Sequence, residues 1–141
     1  MRAAVALLVL ASSWAFARNP GASKSFSQLT AAPEQARVRD NPLAHDPDAV
    51  AAGRKLYQRH CAGCHGANGE NGRKGPDLAV PEIEGASPGA LFWVITNGNV
   101  RAGMPVWSKL PEPQRWQLTA FLKSLGTSPS APPAPGRAPG H

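Results

Sequence analysis

Residues 61–65 read CAGCH and contain the only two cysteines of the 141-residue chain. A Cys-x-x-Cys-His run is typical of the attachment site of a c-type haem. The spacing suits that chemistry, because two thiols on one turn of helix can reach the two vinyl groups of one porphyrin. The next residue then points its imidazole at the iron from the same side. We therefore predict that Cys61 and Cys64 anchor a haem through thioether bonds and that His65 is its proximal ligand.

Three other uses of the same residues are a thioredoxin-like redox pair, half of a zinc site, and a disulfide. A structural zinc site takes four ligands, usually from two such pairs, and the chain has no second Cys pair. A thioredoxin-like motif belongs in a βαβ pattern, and no strand-like alternation stands out here. The spacing favours haem attachment.

The first 17 residues, MRAAVALLVLASSWAFA, combine a positive start, a short apolar stretch and a small-x-small ending. This pattern is typical of a secretory signal peptide, so we expect cleavage before Arg18 and a periplasmic protein. The apolar stretch is shorter than the roughly 20 residues that a membrane span needs. No later segment is long enough either, so we expect no membrane span in the mature chain. The open alternative is an uncleaved N-terminal anchor.

The chain is basic, with a formal net charge of +6 at pH 7. Much of the excess lies at the two ends, because residues 46–126 carry nine Lys and Arg against seven Asp and Glu. A basic balance attracts acidic partners and steers association. There is no basic helix with interleaved aromatic residues, so we do not predict a nucleic-acid partner.

Composition divides the mature chain into three parts. Residues 18–45 are rich in Ala, Ser, Asn and Pro without a sustained apolar period, and we expect a flexible leader there. Residues 127–141 (TSPSAPPAPGRAPGH) are rich in Pro, Ala and Gly and predict a disordered tail. The folded unit is therefore predicted at 46–126, and the two flanking segments are expected to be dispensable for its folding.

Three helices are predicted within this unit. The first starts at the cap signal Asp46-Pro47 and runs into the Cys pair, and the second follows Ser87-Pro88 and ends at Asn97-Gly98. The third begins at residues 111–113 (PEP). Each has one face defined by residues at spacings of three and four, namely Val50, Gly53, Leu56, Tyr57 and His60; Leu91, Val94 and Ile95; and Leu118, Phe121, Leu122 and Leu125.

A core built from three such helices is thin. A domain of this size rarely draws more than about 3–5 kcal/mol from its core. A covalently held porphyrin would add a large apolar plate for all three helices to pack on. The prediction is therefore an all-α domain wrapped around one cofactor.

The only methionine after the predicted signal is Met104, in the sequence Gly103-Met104-Pro105 between the second and third helices. A His and Met ligand pair raises the potential of c-type cytochromes. Gly103 allows close approach to the ring, and Pro105 restricts the backbone. The 39 positions from His65 to Met104 let the chain pass round the haem edge, so we predict Met104 as the sixth ligand.

The alternatives are that Met104 is an ordinary core or surface residue and that a histidine binds instead. His60 leads directly into the Cys turn and cannot reach the opposite face of the ring. His45 and His141 lie in the segments predicted to be flexible.

A haem-bound histidine needs its other ring nitrogen held by a hydrogen bond. The run Gly75-Pro76-Asp77-Leu78 follows the haem motif at a suitable distance. We expect the Pro76 carbonyl to accept from His65 and Leu78 to lie against the ring. The alternative is that this run is an ordinary turn.

In this order, CAGCH, GPDL, GMP and FLKSL resemble the small class I c-type cytochrome domain, most of all the bacterial type grouped with the cytochrome subunits of cbb3 oxidases. The resemblance covers about 46–126. It implies a cytochrome c-like all-α fold with three main helices around one covalent haem c. It also implies that the first and last helices cross with Gly53 against Phe121 and Tyr57 nearby, although many relatives carry Tyr where this chain has Phe121.

The resemblance implies an exported monohaem electron carrier rather than an enzyme. It would pass single electrons between exported or membrane redox proteins, such as a dehydrogenase, a respiratory complex or a terminal oxidase. The alternative is a haem enzyme or gas sensor, which needs an open or displaceable sixth ligand. Trp107, just after Met104, is expected to shield the haem edge.

Overall fold

The computed structural model describes residues 26–126, and all the regular structure in this part of the chain is helical. The predicted signal peptide (1–17), the first part of the leader and the predicted tail (127–141) lie outside the described residues. The helices are α1 Ser27–Ala31, α2 Glu34–Arg37, α3 Pro47–His60, α4 Ala62–His65, α5 Pro81–Gly85, α6 Pro88–Asn97 and α7 Glu112–Leu125, with a 3₁₀ turn at Val100–Ala102. The prediction of an all-α fold is confirmed.

The three predicted helices are α3, α6 and α7, and their starts follow the cap signals in the sequence. The Asp46 carboxylate accepts from the Asp48 amide at 2.9 Å, which satisfies one of the free amides at the start of α3. Ser87 does the same for Ala90 at the start of α6, with an Oγ–N distance of 3.2 Å. Helix α6 ends at Asn97 and is capped by Gly98, whose φ of +65° lies in the region that favours glycine.

The first and last long helices, α3 and α7, pack directly on each other. A Cβ atom at Gly53 would collide with the Gln117 carbonyl and lie 2.9 Å from the Phe121 Cβ, so the backbones meet where α3 has no side chain. Beside this crossing the rings of Tyr57 and Phe121 lie 5.0 Å apart between centroids. The predicted contact between Gly53 and Phe121 is present.

The buried faces of all three long helices differ from the predicted ones. Helix α3 buries Ala49, at 1% exposure, and leaves Val50 38% exposed. Phe92 of α6 and Trp116 of α7, which the predicted faces omit, are 5% and 2% exposed. They are buried because a further segment of chain covers the side of α6 and α7 that the three-helix prediction leaves open.

That segment is the second part of the predicted flexible leader, residues 26–45, which we call the strap. Helices α1 and α2 of the strap both pack on α6. A Cβ atom at Gly89 would collide with the Ala36 carbonyl, so α6 and the strap are in backbone contact. The buried Asn41 donates through Nδ2 to the Trp116 carbonyl at 3.0 Å.

Arg39 adds charge to the same contact. Its guanidinium is 2.7 Å from the Glu112 carboxylate and lies 4.9 Å and 5.1 Å from the ring centres of Phe92 and Trp116. The prediction of a flexible leader is therefore wrong for residues 26–45. The strap is held by contacts of single residues and not by a continuous helical face. Such contacts leave no regular apolar period in the sequence.

No helix within the described range 26–126 is long and apolar enough to cross a membrane.

Candidate functional site

A narrow and mainly apolar cleft lies among α3, α6, α7 and the loops that follow α4 and α6. The residues that line it are Tyr57, Cys61, His65, Leu78, Ile95, Met104, Trp107, Leu118 and Leu122. The fold thus brings together Cys61, His65, Leu78 and Met104, four of the six predicted site residues. Of the other two, Cys64 lies on the same helical turn as Cys61 and His65, and the Pro76 carbonyl is hydrogen-bonded to His65.

The CAGCH stretch forms one tight turn. The amides of Cys64 and His65 both donate to the Cys61 carbonyl at 3.0 Å, and α4 ends at His65. Both cysteines are free thiols, and burial raises the pKa of the Cys61 thiol to about 11. The two thiols therefore lie on a single helical turn, as attachment to one porphyrin requires, and Cys61 is protonated at neutral pH.

The His65 imidazole is held at one nitrogen. Its Nδ1 lies 2.8 Å from the Pro76 carbonyl oxygen, the acceptor expected from the sequence. A carbonyl oxygen can only accept, so Nδ1 carries the proton and donates. The Nε2 atom of the neutral ring then has a free lone pair, which is the state that binds a metal ion.

Gly75 positions the same ring, and sequence reasoning assigns it no such role. A Cβ atom at Gly75 would lie 2.5 Å from both Cε1 and Nδ1 of His65, so the ring packs closely against Gly75, where there is no side chain. The Gly75 amide also donates to the Cys64 carbonyl at 3.0 Å. The available signal was the glycine of the GPDL run, which directly precedes the expected hydrogen-bond acceptor.

Met104 reaches the cleft from a closed loop. Its amide and carbonyl pair with those of Asn99, both at 3.0 Å, in an isolated antiparallel bridge. Two glycines with positive φ, Gly98 at +65° and Gly103 at +87°, make the turns on either side of the 3₁₀ segment. Backbone pairing therefore fixes the loop, and Met104 is half-buried in the cleft wall.

The two rival histidines within residues 26–126, His45 and His60, are not among the residues that line this cleft. His60 packs its ring on Trp107, with the centroids 5.0 Å apart. His45 is exposed, and His141 lies outside the described residues. Trp107 itself lines the cleft, and its amide donates to the Ile95 carbonyl at 3.3 Å.

The residues around the cleft fit a covalent haem. They provide two thiols on one turn, an imidazole with Nε2 free, one thioether and walls of Leu, Ile, Tyr and Trp side chains. The donor set is soft and nearly uncharged, which suits a haem iron and not a hard divalent cation. Within residues 26–126 no three His, Cys, Asp or Glu side chains cluster as a metal site would need.

Comparison with known proteins also indicates a c-type cytochrome domain. A family model described as "Cytochrome C oxidase, cbb3-type, subunit III" matches residues 48–122. Among solved structures, the chain is similar to cytochrome CL from the marine methylotrophic bacterium Methylophaga aminisulfidivorans MPT, with 28% identity and a TM-score of 0.52. That match covers 60% of this chain and 58% of the cytochrome, so this chain spans just over half of its length. A search of curated proteins gave no match.

Proposed function

Since this chain belongs to the cbb3-type cytochrome c oxidase subunit III family, and so has a class I c-type cytochrome domain, we propose that it carries single electrons through one haem c held by His65 and Met104. Haem binding and electron transfer are properties of the family. The ligand pair, the attachment residues and export to the periplasm belong to the proposal.

The observation that carries the proposal is the meeting of His65 and Met104 in one apolar cleft. The haem, when bound, supplies a one-electron ferrous–ferric couple. Pro76 and Gly75 hold the His65 imidazole, and the bridge to Asn99 holds Met104. Neutral thioether sulfur favours ferrous over ferric iron, so this pair supports a high potential.

Covalent attachment is tested by removing both thiols. The protein is exported together with a haem maturation system and run on a denaturing gel that is stained for haem. Wild type should give a stained band, and Cys61→Ala/Cys64→Ala should give none. Haem that acid acetone extracts from the wild-type protein would refute attachment.

Ligation by Met104 is tested by spectroscopy. Oxidised wild type should show the weak near-infrared band of sulfur bound to ferric iron, and Met104→Ala should lose it, become high-spin and bind carbon monoxide when reduced. Met104→His should stay low-spin with a lower potential. If ferrous wild type already binds carbon monoxide rapidly and lacks the band, the enzyme or gas-sensor alternative replaces the carrier.

The loop of Met104 also offers a contact surface for a redox partner. Val100 and Val106, on either side of Met104, are 70% and 48% exposed. Arg101 and Lys109, in the same stretch, are exposed as well. We propose that an exported or membrane dehydrogenase, respiratory complex or terminal oxidase docks here with an apolar centre and an acidic rim.

Charge reversal tests this surface. Arg101→Glu/Lys109→Glu should slow electron exchange with an acidic redox partner at low salt, and the difference from wild type should shrink as salt is raised. Lys55→Glu/Arg59→Glu, which changes two exposed cations of α3, is the matched control. Equal slowing by both pairs would show that net charge, and not this loop, governs docking.

Export is tested by the mass of the secreted protein. A chain that begins at Arg18 supports a cleaved signal peptide. Retention of residues 1–17 in the membrane fraction supports the anchor instead.

A further inference from the structure

The Tyr57 hydroxyl is a buried polar group at the wall of the haem cleft. The side chain of Tyr57 is fully buried, and its ring lines the cleft together with Cys61 and His65. The hydroxyl donates to the carbonyl of Gly66 at 2.8 Å. Gly66 directly follows His65, so this bond ties helix α3 to the chain immediately beyond the proposed iron ligand.

The bonded carbonyl belongs to a turn that leads to a second cleft residue. The Gly69 amide donates to the Gly66 carbonyl at 3.2 Å, and the Gly69 carbonyl accepts from the Leu78 amide at 2.6 Å. Gly66 and Gly69 have φ values of +81° and +79°, which favour glycine. The turn at 66–69 therefore connects His65 to Leu78, and Tyr57 bonds to its first carbonyl.

The position of the hydroxyl is itself fixed. Burial raises the pKa of Tyr57 to about 12, so the phenol keeps its proton and donates at neutral pH. The ring packs on Phe121 beside the crossing of α3 and α7, where Gly53 brings the two backbones together. The helix crossing thus sets where the donor lies.

We propose that the Tyr57 hydroxyl is a positioning group for the proximal side of the haem. By holding the turn at 66–69, it fixes where the backbone leaves His65 and where Leu78 enters the cleft. Loss of this bond loosens the turn and widens the range of His65 orientations toward the iron. The inference rests on the proposed function, because it concerns the haem that His65 would bind.

Tyr57→Phe tests this with the ring and its packing retained. The matched control is Thr119→Val, which removes another fully buried hydroxyl that donates to a backbone carbonyl, that of Arg115 at 3.0 Å within α7. Thr119 does not line the cleft. Because each substitution removes one buried hydrogen bond, both variants should lower the thermal midpoint similarly.

Only Tyr57→Phe should alter the haem. At a fixed applied potential the ratio of ferrous to ferric protein should change by about two- to tenfold, the range that one net hydrogen bond can supply. The low-spin ferric electron paramagnetic resonance signal should broaden. Hydrogen exchange at the Gly69 amide should quicken in Tyr57→Phe but not in Thr119→Val, and this readout does not depend on the haem.

Two results would overturn the inference. If Tyr57→Phe keeps the wild-type redox ratio and spectrum, the hydroxyl has a structural role only and does not position the proximal side of the haem. This conclusion would hold even if hydrogen exchange at the Gly69 amide quickens. If Thr119→Val shifts the redox ratio equally, the effect is one of general stability. Wild-type protein without attached haem is a separate outcome, seen on the stained gel, and it removes the proposed function together with this inference.

Discussion

His65 shows how single residues prepare the site. The Pro76 carbonyl holds its Nδ1 at 2.8 Å, and Gly75 packs closely against its ring. The first contact selects the tautomer, and the second limits rotation of the ring. Two of the contacts that orient the proposed ligand, one carbonyl and one missing side chain, therefore belong to a single dipeptide.

Gly75→Ala should disturb this arrangement. The new Cβ would lie 2.5 Å from the imidazole, so the ring or the loop must move, and overpacking of this kind costs about 1–3 kcal/mol. Denaturant unfolding measures the loss, and the low-spin spectrum reports on the ligand. Gly85→Ala, where nothing lies within 4 Å of the new atom, is the control. Equal midpoints for the two variants would contradict the contact.

Glu112 links single-residue chemistry to pH. Hydrogen bonds from Arg39, and then from Trp116, lower the pKa of its carboxyl below the ordinary 4.5. A lowered carboxyl pKa stabilises the fold above the ordinary value, and this contribution is lost as the pH falls through the lower, folded-state value. The side chain is exposed, so we expect a small effect.

Glu112→Gln should accordingly have a lower thermal midpoint than wild type at neutral pH. The difference should narrow as the pH is lowered below 4.5. Glu70→Gln, an exposed carboxyl outside the strap contact, is the control and should track wild type. If the difference in thermal midpoint between wild type and Glu112→Gln stays constant as the pH is lowered, the charge on Glu112 does not contribute to stability.

At the scale of elements, helix α7 uses opposite faces for two contacts, one with the cleft and one with the strap. Leu118 and Leu122 line the cleft, whereas the Trp116 carbonyl accepts from the strap residue Asn41. Positions 116 and 118 point in nearly opposite directions on a helix. The strap thus covers the side of α7 away from the cleft, where Phe92 and Trp116 stack with ring centres 4.0 Å apart.

Gly89→Ala should displace the strap without touching the cleft. The added Cβ would collide with the Ala36 carbonyl and lie 2.8 Å from that of Arg39. Limited proteolysis should then cut within residues 26–45 faster than in wild type, while covalent haem is retained. Gly85→Ala again provides a glycine substitution into open space. Unchanged cleavage in Gly89→Ala would show that the strap can shift and stay docked.

For the whole molecule, the folded unit begins before the part that the family model covers. That match starts at residue 48, but the described structure is packed from residue 26 onward. Ala32, at 3% exposure, and Asn41, at 7%, belong to the strap and are as buried as core residues. The strap is therefore part of the same folded domain as α6 and α7, on which it packs.

Trimming tests this boundary, and it reverses the expectation that the leader is dispensable. A chain of residues 46–126 should lose several degrees of thermal midpoint and bind a hydrophobic dye, because Phe92 and Trp116 become exposed; about 1 kcal/mol shifts the midpoint of such a domain by 4–8 °C. A chain of residues 26–126 should match wild type, since the composition of 127–141 predicts no core. Equal thermal midpoints for the two trimmed chains would show that the strap does not contribute to the stability of the domain.

The sequence alone was sufficient where the chemistry is local in the chain. CAGCH places two thiols and an imidazole on one turn whatever surrounds it, and the Asp46 and Ser87 caps act on amides two and three residues away. The all-α fold and the family resemblance followed from these signals. Met104, which lines the cleft, could be predicted as a ligand because it is the only methionine after residue 17 and stands in a Gly-Pro loop.

Beyond the contacts that the family resemblance and the GPDL run had indicated, only the tertiary structure decided which segments meet. The docking of Asn41 on Trp116, the packing of Gly75 on His65 and the bond from Tyr57 to Gly66 join residues 75, 10 and 9 positions apart. Periodicity shows that a helix has an apolar face, but not which neighbour covers it, so Ala49 was missed and Val50 misplaced. Contacts made by single side chains and bare backbone leave no repeating pattern, and they exist only once the chain has folded.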